Sequence, residues 1–217
     1  MTTIGFLHTS PVHVPTFDGL THQAWPLVGT IHVVDESILT QARAEGPEVT
    51  QSAVRAYLNE LKDNGADVVC CTCSTIGDVA ERAGVGLPVF RVDRPMARRA
   101  VEMGPRIGVV AALESTLGPT SDLISQEAAA MDSEISIELV VAGHAWSLFE
   151  DGDMDGYIRA ISDSTLALEG NVDVIVLAQA SMAPAEKQLA SLSVPVLSSP
   201  RLAVEHAAEI CSVPVSY

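Results

Sequence analysis

Short apolar runs alternate with longer amphipathic stretches along this chain, and the alternation repeats itself. The runs are Ile4–Leu7, Gly29–Val34, Asp67–Cys71, Pro88–Val92, Ile107–Ala111, Ile135–Val141, Val174–Leu177 and Pro195–Leu197. They are rich in Val and Ile and bounded by Gly, Pro, Ser or Asp, as strands buried on both faces are. Helical patterns lie between them at Glu48–Asn64, Met96–Glu102, Pro119–Met131, Met154–Glu169, Pro184–Ala190 and Arg201–Cys211. Strands alternating with helices specify an α/β fold with mostly parallel sheets flanked by helices. The repeat specifies more. Gly65–Thr75 ("GADVVCCTCST") parallels Asn171–Ser181 ("NVDVIVLAQAS"), so that Asp67 and Asp173 share one offset with Cys73 and Gln179. The segments that follow, "GLPVFRVDRPMARRAVE" and "SVPVLSSPRLAVEHAAE", also pair, as do "IGFLHTS" and "IGVVAALES". Two pseudo-symmetric lobes are therefore expected. Residues 1–97 with 198–217 form lobe one, which carries Cys73, and residues 98–197 form lobe two, which carries Gln179. The last helix is expected to return to lobe one.

Composition narrows the function. The 217 residues are 47% hydrophobic but only 4% aromatic, so the core is built from Ala, Val, Leu and Ile. The net charge of −16 argues against nucleic acid, which needs clustered Lys and Arg, and against a polybasic membrane patch. No apolar run approaches 18 residues, so no membrane span is expected. The opening Met1–His13 has neither a basic start nor a long apolar stretch, and three of the four cysteines crowd one short run. Both features suit a reducing, cytoplasmic location rather than a disulfide framework.

Ligands of open α/β sheets bind beyond the carboxyl ends of the strands. Those ends are polar here: His8, Thr9 and Ser10; Thr72, Cys73, Ser74 and Thr75; Asp93; Glu114–Thr120; Gln179–Ser181; and Ser198–Pro200. Pseudo-symmetric lobes would gather them at one active-site cleft. Cys73 stands out, just past a strand and ahead of a helix expected near Gly77. Free amides at a helix start favour a thiolate. Cys70 and Cys71 lie within the strand and read as core. They point to opposite faces and no second ligand pair accompanies them, so no metal site is expected. Arg91, Arg94 and Arg201 lie near strand ends and could assist an anion. His144 and Trp146 mark a connection, and "DGDMDG" lacks the closing acidic ligand of a calcium loop.

The segment "DVVCCTCST" resembles the first cysteine motif of the aspartate/glutamate racemase superfamily, roughly "D-x-x-V-x-x-C-N-T". In that pattern Cys73 takes the catalytic cysteine, Ser74 the usual Asn and Thr75 the Thr. "RIGVVAALEST" resembles the opening of the second lobe, and "VPVLSSPRLAVEHA" the closing strand and helix. The second motif, roughly "I-x-L-G-C-T", is "IVLAQAS" here, so Gln179 stands where the second cysteine belongs. The resemblance implies a cofactor-independent enzyme of isomerase or racemase type acting on a small carboxylate or amino acid derivative. It implies Cys73 and Gln179 as catalytic positions, with Thr9, Ser10, Ser74, Thr75, Ser115, Thr116, Ala180 and Ser181 binding substrate. It also implies a homodimer or higher homo-oligomer.

Racemases of this superfamily use two thiols, one to remove the α-proton and one to deliver a proton. A carboxamide does not ionise near neutrality and cannot replace a thiol there, although it can donate hydrogen bonds to a carboxylate or an enediolate. Three chemistries stay open with one cysteine. Cys73 could add to the substrate as a nucleophile, as in maleate isomerase. It could be a lone acid that protonates an enediolate after decarboxylation, as arylmalonate decarboxylase does with a cysteine in the other lobe. It could also racemise with a non-cysteine partner such as His8, Glu114 or Glu186. A single-cysteine hydrolase and a non-catalytic carboxylate sensor are the remaining alternatives.

Overall fold

The computed structural model describes residues 2–212, which divide into two compact units. Unit one is Met1–Val92 with Pro200–Tyr217, and unit two is Asp93–Ser199. The chain changes unit ahead of Arg94, earlier than residue 98, because the helix Arg94–Met103 packs on elements of unit two.

Unit one holds strands β1 (Thr3–His8), β2 (Gly29–Val34), β3 (Val68–Cys71) and β4 (Val89–Arg91). They form one parallel sheet in the order β2-β1-β3-β4. Its helices are α1 (Val14–Ala24), α2 (Glu36–Glu45), α3 (Gln51–Asp63) and α4 (Ser74–Glu81). Unit two holds α5 (Arg94–Met103), β5 (Arg106–Ala111), α6 (Glu114–Ala130), β6 (Ser136–Val141), α7 (Ala145–Glu150), α8 (Met154–Thr165), β7 (Val174–Leu177), α9 (Glu186–Leu189) and β8 (Val196–Ser198). Its parallel sheet runs β6-β5-β7-β8, which is the order of unit one. The final helix α10 (Ser199–Ile210) contributes Ala203, Val204, Ala207 and Ala208 to the core around Ile4, Phe6 and Phe17.

Alternation along each strand fills both faces. In β1, Ile4 and Phe6 face α1 and α10, whereas Leu7 faces a second core with Val54, Leu58, Leu61 and Ile76. Val54, Leu58 and Leu61 recur along α3 at helical spacing, and each is buried, while Arg55 and Glu60 on the other face are exposed. Burying one such leucine contributes roughly 1.5–3 kcal/mol. In unit two, Val110, Ile175 and Leu177 pack on Tyr157, Ile161 and Leu168.

The sequence repeat has a structural counterpart at the strand starts. Asp67 accepts the Thr3 N–H at 2.9 Å, and Asp173 accepts the Arg106 N–H at 2.9 Å. Gly5 of β1 and Gly108 of β5 are also equivalent. A Cβ at Gly5 would meet Ala66 Cβ at 3.0 Å, and one at Gly108 would meet Leu168 Cδ1 at 2.7 Å. Both strands need glycine where the connection leading to the neighbouring strand passes closely.

Several helices differ from the sequence expectation. α4 begins at Ser74 rather than near Gly77, since Cys73 is extended (φ −120°, ψ 115°) and the chain turns helical at the next residue. α6 begins at Glu114 rather than Pro119, which places Pro119 inside the helix without an N–H for the Ser115 carbonyl. α1, α2 and α7 have no counterpart among the expected helices. α1 buries only Phe17 and Thr21, and α2 only Ile38 and Ala42, so their apolar stripes are thin.

Candidate functional site

In unit one the carboxyl ends of β1 and β3 lie side by side. The Thr72 N–H donates to the Leu7 carbonyl at 2.9 Å, which carries the ladder one step beyond the strands. This places Thr9 and Ser10, which follow β1, next to Thr72, Cys73, Ser74 and Thr75, which follow β3. Thr9 is buried, Ser10, Ser74 and Thr75 are partly exposed, and Cys73 is 9% exposed. Cys73 occupies the N-cap position of α4, and its side chain makes no capping bond. It belongs to the core formed with Leu7, Cys71 and Ile76. The Cys73 carbonyl accepts the Cys71 thiol at 3.8 Å. A second contact fixes the first turn of α4: the buried Arg91 donates Nη2 to the Ser74 carbonyl at 3.3 Å, and its N–H donates to Glu81 at 3.0 Å.

A histidine stack secures the same edge. His8 is buried, with Nδ1 2.8 Å from Thr72 Oγ1 and Nε2 2.9 Å from His32 Nδ1. The Thr72 hydroxyl hydrogen goes to the Leu7 carbonyl at 3.2 Å, so His8 Nδ1 carries the hydrogen that Thr72 accepts. His8 Nε2 is then the acceptor for His32 Nδ1–H. The rings of Phe6, His8 and His32 stack with centroids 5.2–5.9 Å apart. Burial, followed by the charges of His32 and His13, pushes the His8 pKa down to about 3, so the ring is neutral at physiological pH. Burial also lowers His13 and His32, the latter partly offset by Asp18.

In unit two the corresponding edge joins the ends of β5 and β7. The Ala178 N–H donates to the Val110 carbonyl at 2.9 Å. One residue on, Gln179 reaches back: its Oε1 accepts the Ala112 N–H at 2.8 Å. A backbone N–H can face only the oxygen of the carboxamide, which fixes the orientation of the amide. Nε2 is thereby left buried with two hydrogens and no partner among the described residues. The 3-10 turn Ala180–Ala185 follows, with Ala180 and Ser181 partly exposed. Ser181 Oγ lies 2.8 Å from the hydroxyl of the buried Tyr157 on α8. On the β5 side, Thr116 in the first turn of α6 is buried and Ser115 is exposed. At the end of β8, Ser199 is 1% exposed, and its hydroxyl has no partner among the described residues.

Within unit one the structure gathers Thr9, Ser10, Cys73, Ser74 and Thr75, and within unit two Ser115, Thr116, Gln179, Ala180 and Ser181. Three features are not legible in the sequence: the His8–Thr72 bond, the Tyr157–Ser181 bond and the orphan Ser199 hydroxyl. The polar residues are visible there, but their pairing depends on strand register and on α8. The arginines near strand ends are engaged. Arg94 pairs with Glu127 at 2.5 Å and Arg201 with Glu205 at 2.9 Å. Asp153 of "DGDMDG" caps α8 by accepting the Gly156 N–H at 2.9 Å. Among the described residues no group of three or more His, Cys, Asp or Glu could hold a metal ion. None of the described helices is long and apolar enough to cross a membrane.

Comparison with known proteins agrees with the two-unit architecture. An aspartate racemase from Picrophilus torridus superposes with a TM-score of 0.80 at 15% identity, over 100% of this chain and 96% of that one. An allantoin racemase from Pseudomonas fluorescens superposes with a TM-score of 0.71 at 21% identity, over 99% and 93% of the two chains. A glutamate racemase from Francisella tularensis, in complex with D-glutamate, gives 0.74 at 15% identity over 97% and 81%. At these identities the likeness concerns the fold. No curated protein sequence matches the chain. The model of the Asp/Glu/hydantoin racemase family matches residues 18–207. With that match spanning most of its length, the chain belongs to the Asp/Glu/hydantoin racemase family and is an enzyme of racemase or isomerase type.

Proposed function

We propose that this enzyme is a cofactor-independent racemase or isomerase of a small carboxylate or amino acid derivative, in which Cys73 is the only thiol that handles protons. The observation that carries this reading is the chemical difference between two equivalent positions. Cys73 and Gln179 each follow a central strand and each precede a helical turn, at the same place in the sequence repeat. The Gln179 amide is held with its oxygen on Ala112, and its N–H groups have no partner among the described residues. It neither gains nor loses a proton near neutrality, so its contribution is hydrogen bonding to a carboxylate or enediolate oxygen. Cys73, as thiolate, takes the α-proton. The C–H bond breaks, its electron pair passes into the enediolate, and an S–H bond forms. Water on the opposite face reprotonates the planar carbon, and the hydroxide left behind takes the S–H proton of Cys73, which restores the thiolate and completes the inversion.

A single thiol has a kinetic signature. The proton it removes exchanges with solvent or returns, so deuterium enters the α-position at least as fast as configuration is lost. The test is proton NMR in deuterated water, with wild type and Cys73→Ala. The panel is aspartate, glutamate, hydantoin, maleate and an arylmalonate. Deuteration with racemisation, lost in the variant, supports the reading. Conversion of maleate without deuteration, or release of carbon dioxide from the arylmalonate, replaces it with nucleophilic or lone-acid chemistry at Cys73. Turnover that survives Cys73→Ala excludes the thiol.

A further inference from the structure

The phenol of Tyr157 is buried in the first turn of α8, and among the described residues its only hydrogen-bond partner is Ser181 Oγ at 2.8 Å. Either hydroxyl could be the donor at that distance. If Ser181 donates, the phenol hydrogen is left buried without an acceptor among the described residues, which is destabilising. If Tyr157 donates, the phenol is satisfied, and the partly exposed Ser181 keeps its own hydrogen for another acceptor. The second arrangement is favoured. Burial pushes the Tyr157 pKa up to about 12, so the O–H is retained throughout the neutral range.

The neighbouring groups share this polarity. Gln179 Nε2 offers two N–H donors, because Ala112 occupies its oxygen. The Ser199 hydroxyl, at the end of the adjacent strand β8, is buried and has no partner among the described residues. The carboxyl edge of β7 and β8 thus presents donors, two of them buried without an acceptor among the described residues. In unit one, the helix that precedes the cysteine strand also carries a phenol, Tyr57, but it is only partly buried and donates to Asp35 Oδ2 at 2.9 Å rather than to a strand-end hydroxyl.

We infer that Tyr157 is a positioning residue: by donating to Ser181 it fixes that hydroxyl as an outward donor, so that Ser181 and Gln179 together select a carboxylate oxygen. This rests on the proposed reading that the ligand is a small carboxylate or amino acid derivative. It extends that reading to a residue outside the strand-end loops. Tyr157 touches Ser181 and acts through it.

The test measures binding in a Cys73→Ser background, so that failure of the chemistry does not obscure failure of the site. The probes are L-aspartate, D-glutamate and malonate, titrated calorimetrically. Ser181→Ala is expected to weaken the best-bound probe about 10–100-fold, as loss of a bond to a charged group does. Tyr157→Phe is expected to weaken it about 3–10-fold. The double variant is expected to bind no worse than Ser181→Ala alone, since the phenol has nothing to act through once Ser181 is gone. A purely structural role predicts instead that Tyr157→Phe weakens binding equally in both backgrounds, and that result overturns the inference. So does failure of all three probes to bind the parent at millimolar concentrations. Binding with the expected pattern, in an enzyme whose wild type does not racemise the same acids, supports the inference and rejects only the reaction. Should Tyr157→Phe fail to fold, neutron diffraction from the parent decides. A deuteron on Tyr157 directed at Ser181 supports the inference, and one on Ser181 directed at Tyr157 overturns it.

Discussion

His8 Nδ1 donates to the Thr72 hydroxyl across 2.8 Å, and this bond ties the end of β1 to the residue that precedes Cys73. The bond requires the neutral ring in one tautomer, because Nε2 must accept from His32. In the folded chain the His8 pKa is lowered from 6.5 to about 3. The unfolded chain therefore binds the proton first, and stability rises with pH through this window. The contribution is complete above about pH 6.5 and is lost as pH falls toward 3. His13 and His32 act in the same direction. Asp18 and Asp35 are held below the usual carboxylate range, chiefly by hydrogen bonds from Thr30 and Ser37. Their contributions disappear only at more acid pH. Urea unfolding midpoints should therefore fall steadily from pH 7 to pH 5, and His8→Asn should flatten the slope. A midpoint independent of pH over that range would contradict the neutral, buried assignment of His8.

Much of this arrangement is legible in the sequence. Val- and Ile-rich runs mark the strands, and Asp67 and Asp173, standing at one offset with Cys73 and Gln179, mark the duplication. The two aspartates make equivalent bonds, each accepting the first N–H of a central strand. The helices α1 and α2 are not legible, because Phe17 and Ile38 lead stripes too thin to stand out from the surrounding polar residues. The helix expected near Gly77 begins three residues earlier, at Ser74, because the polar residues after Cys73 mark no sharp boundary. In the structure Gly77 is a helix residue kept small by Arg91. Tyr157 carries no signal in the sequence, and Ser199 is visible there only as part of a polar strand end, because an orphan or paired hydroxyl is a property of three-dimensional accounting and not of composition.

Gly77 supports a second prediction. A Cβ there would lie 2.6 Å from Arg91 Cβ and 3.1 Å from its Nε. The nearer atom is anchored on β4 and cannot swing away, so α4 or Arg91 must move. Gly77→Ala should destabilise the protein by about 1–3 kcal/mol despite the better helix propensity of alanine. Because α4 begins directly after Cys73, kcat for any substrate should fall as well. Urea unfolding together with steady-state rates checks both, and an unchanged or raised midpoint would refute the close packing.

Gln179 is predicted to matter through its donors. Gln179→Glu retains an oxygen for the Ala112 N–H but replaces the N–H groups with negative charge. Binding of a carboxylate should weaken at least about 10-fold at pH 7, where the two anions repel. Stability should fall modestly even though the bond to Ala112 is kept, since the carboxylate replaces a buried amide nitrogen. Calorimetric titration with malonate beside a thermal melt separates these effects. Equal affinity in both proteins would mean that the amide nitrogen does not face the ligand.

The four cysteines should differ in reactivity according to their place in the fold. Cys70 and Cys71 are fully buried within β3, Cys73 is 9% exposed at its end, and Cys211 is partly exposed after α10. Burial, and then the charge of Asp67, raises the Cys211 pKa, which keeps that thiol protonated and slow to react at neutral pH. Brief treatment of the native protein with iodoacetamide at pH 7 should label Cys73 first and Cys211 slowly, and leave Cys70 and Cys71 to the unfolded chain. Raising the pH from 7 to 9 should accelerate Cys211. Malonate should protect Cys73 and leave the rate at Cys211 unchanged, which peptide mass mapping would resolve site by site. Protection of both thiols alike would point to a general tightening of the fold, and protection of neither would separate Cys73 from the carboxylate site.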